Sequence, residues 1–280
     1  MTLLTAFLAC GDVDLPGGHT GNTSGIPTSF QLDYWTEPAP AVALEPTELW
    51  YSILDQDGLP VELLQQSHTR MVHVLVVSSD LSSFEHKHHE DQNPVTADDL
   101  RAATFHFTEA FPYSGDFLLS FQFAVANEVF ELQTSDSVQG DTPQLPSYSA
   151  DFATEVAVSG VRATLTWDVL PAVGVEAQWN LHLTDDAGVE LTDLVQWLGA
   201  DAHSAVVRAD LGFVAHTHAW FPGMEDVPPD HTMPHTYLGP DLPFRFVFPT
   251  AGVHKMWIQF ARESAPEEEI TVPFLFTVTL

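Results

Sequence analysis

The feature that most constrains this chain is an internal repeat. Met71–Glu90, MVHVLVVSSDLSSFEHKHHE, is echoed by Ala202–Trp220, AHSAVVRADLGFVAHTHAW. His73 falls on His203, Asp80 on Asp210, His86 on His216 and His88 on His218, each pair 130 residues apart. Gly58 and Gly188 keep the same step. Further on, Phe111-Pro-Tyr-Ser-Gly115 and Gln122-Phe123 return as Phe248-Pro-Thr-Ala-Gly252 and Gln259-Phe260, now 137 apart. The second copy therefore carries seven extra residues between His218 and Phe248. A period this long is not that of a solenoid. It indicates one domain present twice, which suits a chain of 280 residues.

Each copy reads as strands. Phe30–Trp35 alternates apolar and polar residues, as a half-buried strand does. Leu49–Leu54 follows, closed by the turn Asp55-Gln-Asp-Gly58. Met71–Val77 is apolar on both faces except at His73, the mark of an interior strand. Phe84–His88, Phe105–Phe107, Phe117–Phe123 and Val129–Leu132 complete the first set, and Ala97–Ala103 has room for a helical turn or two. Ala163–Trp167 and Gln178–Leu183 restart the series. Short strands between turn residues predict an all-β protein of two tandem Ig-like or cupredoxin-like antiparallel β-sandwich domains. The expected boundaries are a leader at 1–10, a Gly/Pro/Ser-rich tether at 11–27, a first sandwich at 28–133, a linker at 134–149 and a second sandwich at 150–280.

The leader ends in Leu8-Ala9-Cys10-Gly11, and Cys10 is the only cysteine, so no intrachain disulfide forms. This resembles the cleavage box of a bacterial lipoprotein, in which the cysteine takes the lipid and the preceding residues are removed. It predicts a lipid-anchored protein of the bacterial cell envelope, periplasmic or surface-exposed, touching the membrane only through that anchor. Acids outnumber bases 39 to 8, a formal charge of −31, which repels nucleic acid and anionic headgroups.

The histidines carry the chemistry. Residues two apart on a strand share a face, so His86 and His88 aim at one point, as do His216 and His218. His73 or His203, on a neighbouring strand, completes a three-nitrogen site suited to Zn²⁺ or copper. Asp80 and Asp210 are auxiliary candidates, although turn sequence gives each a competing role in bonding its own backbone. The long Pro-rich segment 221–243 adds Met224, His231, Met233 and His235, a thioether and imidazole mixture that favours copper. His89, Glu90, Asp91 and His106 are nearby candidates in the first copy. A core position is filled more simply by Leu or Phe than by an imidazole with polar atoms to satisfy. Three imidazoles retained in both copies therefore point to a bound ion.

These residues also carry a resemblance. His73-Val-Leu-Val-Val-Ser-Ser-Asp80-Leu-Ser-Ser-Phe84-Glu-His86-Lys-His88 followed by Phe111–Phe123, and again His203–Trp220 followed by Phe248–Phe260, resemble the YtkA-like and FixH-like periplasmic Ig-like domains. The lead-in Trp197-Leu-Gly-Ala200-Asp-Ala-His203 fits the same pattern, while His89 and Ala219 stand where proline is usual. The resemblance implies an Ig-like sandwich and the handling of copper or another metal. No phosphate loop, CxxC or nucleophile elbow is present, so a non-enzymatic role in metal sequestration or delivery is expected, with a metal ion and another envelope protein as partners. The alternative is an adhesion or assembly module whose histidines are structural or pH-sensing.

Overall fold

The computed structural model describes residues 7–8, 27, 29–141, 152–220 and 239–280. The chain divides into two compact units, Met1–Ser147 and Tyr148–Leu280. Unit one contains β1 (Phe7–Leu8), β2 (Phe30–Glu37), β3 (Thr47–Asp55), β4 (Leu64–Gln65), β5 (Val72–Ser78), β6 (Phe84–Lys87), β7 (Thr104–Glu109), β8 (Gly115–Val125) and β9 (Glu128–Val138). A 3-10 turn, His89–Asp91, and the helix α1, Ala97–Ala102, follow β6. Unit two contains β10 (Glu155–Val158), β11 (Val161–Val169), β12 (Glu176–Asp185), β13 (Leu194–Val195), β14 (His203–Arg208), β15 (Val214–His218), β16 (Asp241–Val247), β17 (Gly252–Arg262) and β18 (Ala265–Val278).

Both units are antiparallel sandwiches. In the first, a sheet of order β2-β3-β7 packs on one of order β1-β9-β8-β5-β6, with β4 on β8. In the second, β10-β11-β12-β16 packs on a sheet in which β17 lies between β18 and β14, β15 flanks β14, and β13 pairs with β17. No helix among the described residues is long and apolar enough to cross a membrane. The strand β9 runs to Val138, past the boundary expected at residue 133. Its Ser and Thr residues look like linker, but they pair in register with β8, as Gly115↔Val138 and Leu118↔Ser135 show.

The alternation of β5 sets the geometry of everything that follows. Val72, Val74 and Val76 turn inward and meet Leu49, Tyr51 and Ile53 of β3, Phe105 and Phe107 of β7, and Phe117, Leu119, Phe121 and Phe123 of β8. His73, Leu75 and Val77 therefore stand on the opposite face of the sheet. In unit two, Val206, Met256, Ile258, Phe260 and Phe274 line the core with Trp179, Leu181 and Phe244, leaving His203, Ala205 and Val207 on the other face. The aromatic content is spent largely here, each ring contributing about 1.5–3 kcal/mol of transfer free energy on full burial.

Candidate metal centre

In each unit a two-residue turn leads into the first ligand strand. Ser67 and Arg70 exchange backbone hydrogen bonds around His68 and Thr69, both in the left-handed region at φ 48° and 69°. Trp197 and Ala200 do the same around Leu198 and Gly199, at 51° and 76°. This is the turn geometry of a tight hairpin. It leaves one carbonyl pointing at the histidine six residues on. The His73 ring donates from Nε2 to the Ser67 carbonyl at 2.8 Å, and His203 Nε2 donates to the Trp197 carbonyl at 2.9 Å. Each bond fixes the tautomer, leaving Nδ1 as the bare nitrogen.

The partner strand supplies the other two rings. His86 lies opposite Leu75 on β5. His88, just past the end of β6, is still extended at φ −141° and ψ 150°, so the alternation persists and both rings share the face of His73. The 3-10 turn that follows folds Asp91 back by three residues, and its Oδ2 accepts a hydrogen bond from His88 Nδ1 at 2.7 Å. His88 Nε2 is therefore the nitrogen turned towards the other two rings. The three inward atoms form a nearly equilateral triangle: His73 Nδ1 to His86 Nε2 3.0 Å, His73 Nδ1 to His88 Nε2 3.0 Å, and His86 Nε2 to His88 Nε2 3.1 Å.

The second trio repeats the arrangement. His203 pairs with His218 and Ala205 with His216 across β14 and β15. His203 Nδ1 lies 3.2 Å from His216 Nε2, and one nitrogen from each of His203, His216 and His218 falls within 4.8 Å of the others. The ring centroids match between units: 5.2 Å for His73–His86 against 5.3 Å for His203–His216, 4.8 against 4.7 Å for the perpendicular pair, and 4.5 against 4.7 Å for the pair two residues apart. Within each unit the structure thus brings together the three histidines singled out by the repeat.

Other candidates serve other ends. Asp80 accepts hydrogen bonds from Ser78 Oγ, Ser82 N, Ser82 Oγ and Tyr113 Oη, closing the β5–β6 turn. Asp210 pairs with Arg208 and accepts from the Gly212 amide. Neither joins a cluster of potential ligands among the described residues, and each carboxylate is engaged by its own turn. His89 is bonded through Nδ1 to the His106 main chain, and Glu90 accepts from the Met71 amide at 2.7 Å. His106 stacks on Trp50 at 4.0 Å. Met224, His231, Met233, His235 and Cys10 lie outside the described residues.

The electrostatics keep the His73 ring neutral, the form of imidazole that can ligate a metal. Burial holds His73 well below the usual imidazole range, and the neighbouring His88 pushes the same way. Burial raises Asp91, but the hydrogen bonds from His88 and Arg70 outweigh it and keep this carboxyl below its ordinary value. Ser67 and Trp197 were invisible in sequence because they act through main-chain oxygens. Asp91 had a readable cue, a carboxylate three residues after an HxH pair.

The family can now be stated. This chain belongs to DUF8832, a domain of unknown function, which matches residues 32–140 and again 155–279. No protein of curated function matches it. Among solved structures it is similar to dimeric latent PorU from Porphyromonas gingivalis, at 9% identity and a TM-score of 0.29, covering 95% of this chain and 21% of that one. It is also similar to a two-domain fibronectin type-III segment of chicken tenascin, at 8% and 0.24, covering 88% and 98%. A third is a carbohydrate-binding module of the β-sandwich superfamily, at 11% and 0.23, covering 89% and 97%. Likeness at this level carries no argument about this member of DUF8832.

Proposed function

We propose that this protein binds copper or zinc, one ion per imidazole trio, and serves sequestration or delivery rather than catalysis. The observation that carries the reading is the triangle of ring nitrogens at the first trio. His73 Nε2 is bonded to Ser67 and His88 Nδ1 to Asp91, so their opposite nitrogens face each other at 3.0 Å with His86 Nε2 equally near. Three nitrogens so placed hold a positive centre between them: a proton on His86 Nε2 or, in its stead, a metal ion. Nitrogens at about 2.0–2.1 Å from one ion present edges of about 3 Å when the angles between them are near 95°, and about 3.3 Å in a tetrahedron. Ion entry therefore needs a movement of only a few tenths of an ångström.

The resemblance to YtkA-like and FixH-like domains supports the same reading. The apolar leader ending at Cys10 supports a lipid-anchored protein of the bacterial envelope. The test is elemental analysis of the full chain after loading and desalting. Two equivalents of copper or zinc are expected, and H86A with H88A should remove one of them. Loading should weaken in acid, as protons compete for the imidazoles, and His73, held low by burial, should be the last of them to take a proton. Wild-type protein without stoichiometric metal would sink the reading.

A second reading, recognition of a protein or glycan partner, has one observation of its own. Trp35, Trp50 and His106 form a stack across β2, β3 and β7, and Trp35 is 36% exposed. Partner capture that is indifferent to chelator and lost in W35A would favour it.

A further inference from the structure

Resting on the metal reading, we infer that Asp91, held by Arg70, is a positioning residue that strengthens metal binding at the first trio. Asp91 Oδ1 accepts from Arg70 Nε at 3.2 Å and from Nη2 at 3.0 Å, while Oδ2 accepts from His88 Nδ1 at 2.7 Å. A guanidinium, a carboxylate and a ligand imidazole thus form one line ending at the centre of the trio. The turn carrying Asp91 is itself tied to the start of β5 by the bond from the Met71 amide to Glu90. Arg70 in turn belongs to the tight turn whose Ser67 carbonyl orients His73. One small structure therefore sets the rotation of two of the three rings.

The physical effect is twofold. A carboxylate accepting the Nδ1 proton places negative charge behind the ring, which makes Nε2 a stronger donor to a cation. It also holds the ring against rotation, so less freedom is lost when an ion binds. Partners of this kind alter metal affinity by about 10–100-fold when removed. In the second repeat, the positions matched to Arg70 and Asp91 are Ala200 and Phe221, so this pair of residues belongs to the first repeat.

The experiment is calorimetric titration of the metal-free full chain with Zn²⁺, paired with visible spectra of the Co²⁺-loaded protein. D91N should weaken one equivalent by about 10–100-fold and leave the other as in wild type. It should also change the Co²⁺ bands of one equivalent only. R70A should do the same to a smaller degree, and D91E should restore part of the loss. Should D91N disturb folding, R70A carries the test alone. D91N and R70A titrations that match wild type would overturn the inference. Absence of stoichiometric binding in wild type would instead defeat the proposed function.

Discussion

The two repeats bury different titratable groups at matched places. In unit one, Gln122 on β8 faces Glu131 on β9; in unit two, the matched Gln259 faces Thr271. Conversely, the core position held by Phe117 in unit one is His254 in unit two. His254 is fully buried among Phe213, Phe248 and Phe276, with Nδ1 bonded to the Gly252 carbonyl and Nε2 lacking a hydrogen-bond partner. Burial pushes the Glu131 carboxyl up to about 7, against bonds from Gln133 and Ser120 that pull it down. Burial lowers His254, against its bond to Gly252, with Arg208 lowering it further and Asp210 raising it. Two copies of one sandwich thus have opposite sensitivities to acid. The face that carries the histidine trio is kept in both, while the interior differs.

The largest effect should come from exchanging the core pair. F117H removes a buried ring and introduces an imidazole into an apolar site, at a cost of about 2–4 kcal/mol to unit one. The reverse change, H254F, should stabilise unit two, and more so at pH 5 than at pH 8. The sign follows from linkage. Below about 6.5 the unfolded His254 takes up a proton that the folded one refuses, so stability falls as the pH drops through that range. Thermal melts of the metal-free full chain at both pH values check this. Equal H254F gains at pH 5 and pH 8 would refute it.

Glu131 should act in the other direction. Its folded carboxyl binds a proton more tightly than the unfolded one, so its contribution is favourable in acid and is lost as pH rises from about 4.5 to about 7. E131Q should flatten that part of the profile and raise the melting temperature of unit one at pH 8. A variant whose profile still tracks wild type between pH 4.5 and 7 would show that another group is responsible.

The smallest effect belongs to the turns before the ligand strands. Thr69 occupies the left-handed region where the second repeat has Gly199, and a β-branched residue is strained there. T69G should stabilise unit one by about 0.5–1 kcal/mol, offset in part by loss of the Arg70–Thr69 hydrogen bond. Denaturant midpoints measure it, and a lower midpoint would mean that the hydrogen bond outweighs the strain.

These differences mark what the sequence makes legible. Alternation and the 130-residue step locate the strands and six ligand candidates, because side chains two apart on a strand must share a face. Asp80 and Asp210 keep that step too, but periodicity does not separate a carboxylate that reaches inward from one that closes a turn. The support from Ser67 and Trp197 is main-chain and leaves no residue signature. Glu131 and His254 look like ordinary strand residues, since only the pairing of sheets decides which face is enclosed.

In both units, two of the three imidazoles come from a strip at the rim of its sheet. Among the described residues, β6 pairs only with β5, and β15 only with β14. The third imidazole sits one strand further in. An ion gripping all three would act as a rivet through the hem of the fabric, fastening its loosest thread to the weave. Loading would then stiffen the margin of each sandwich, and release of the ion would begin where the backbone is easiest to peel.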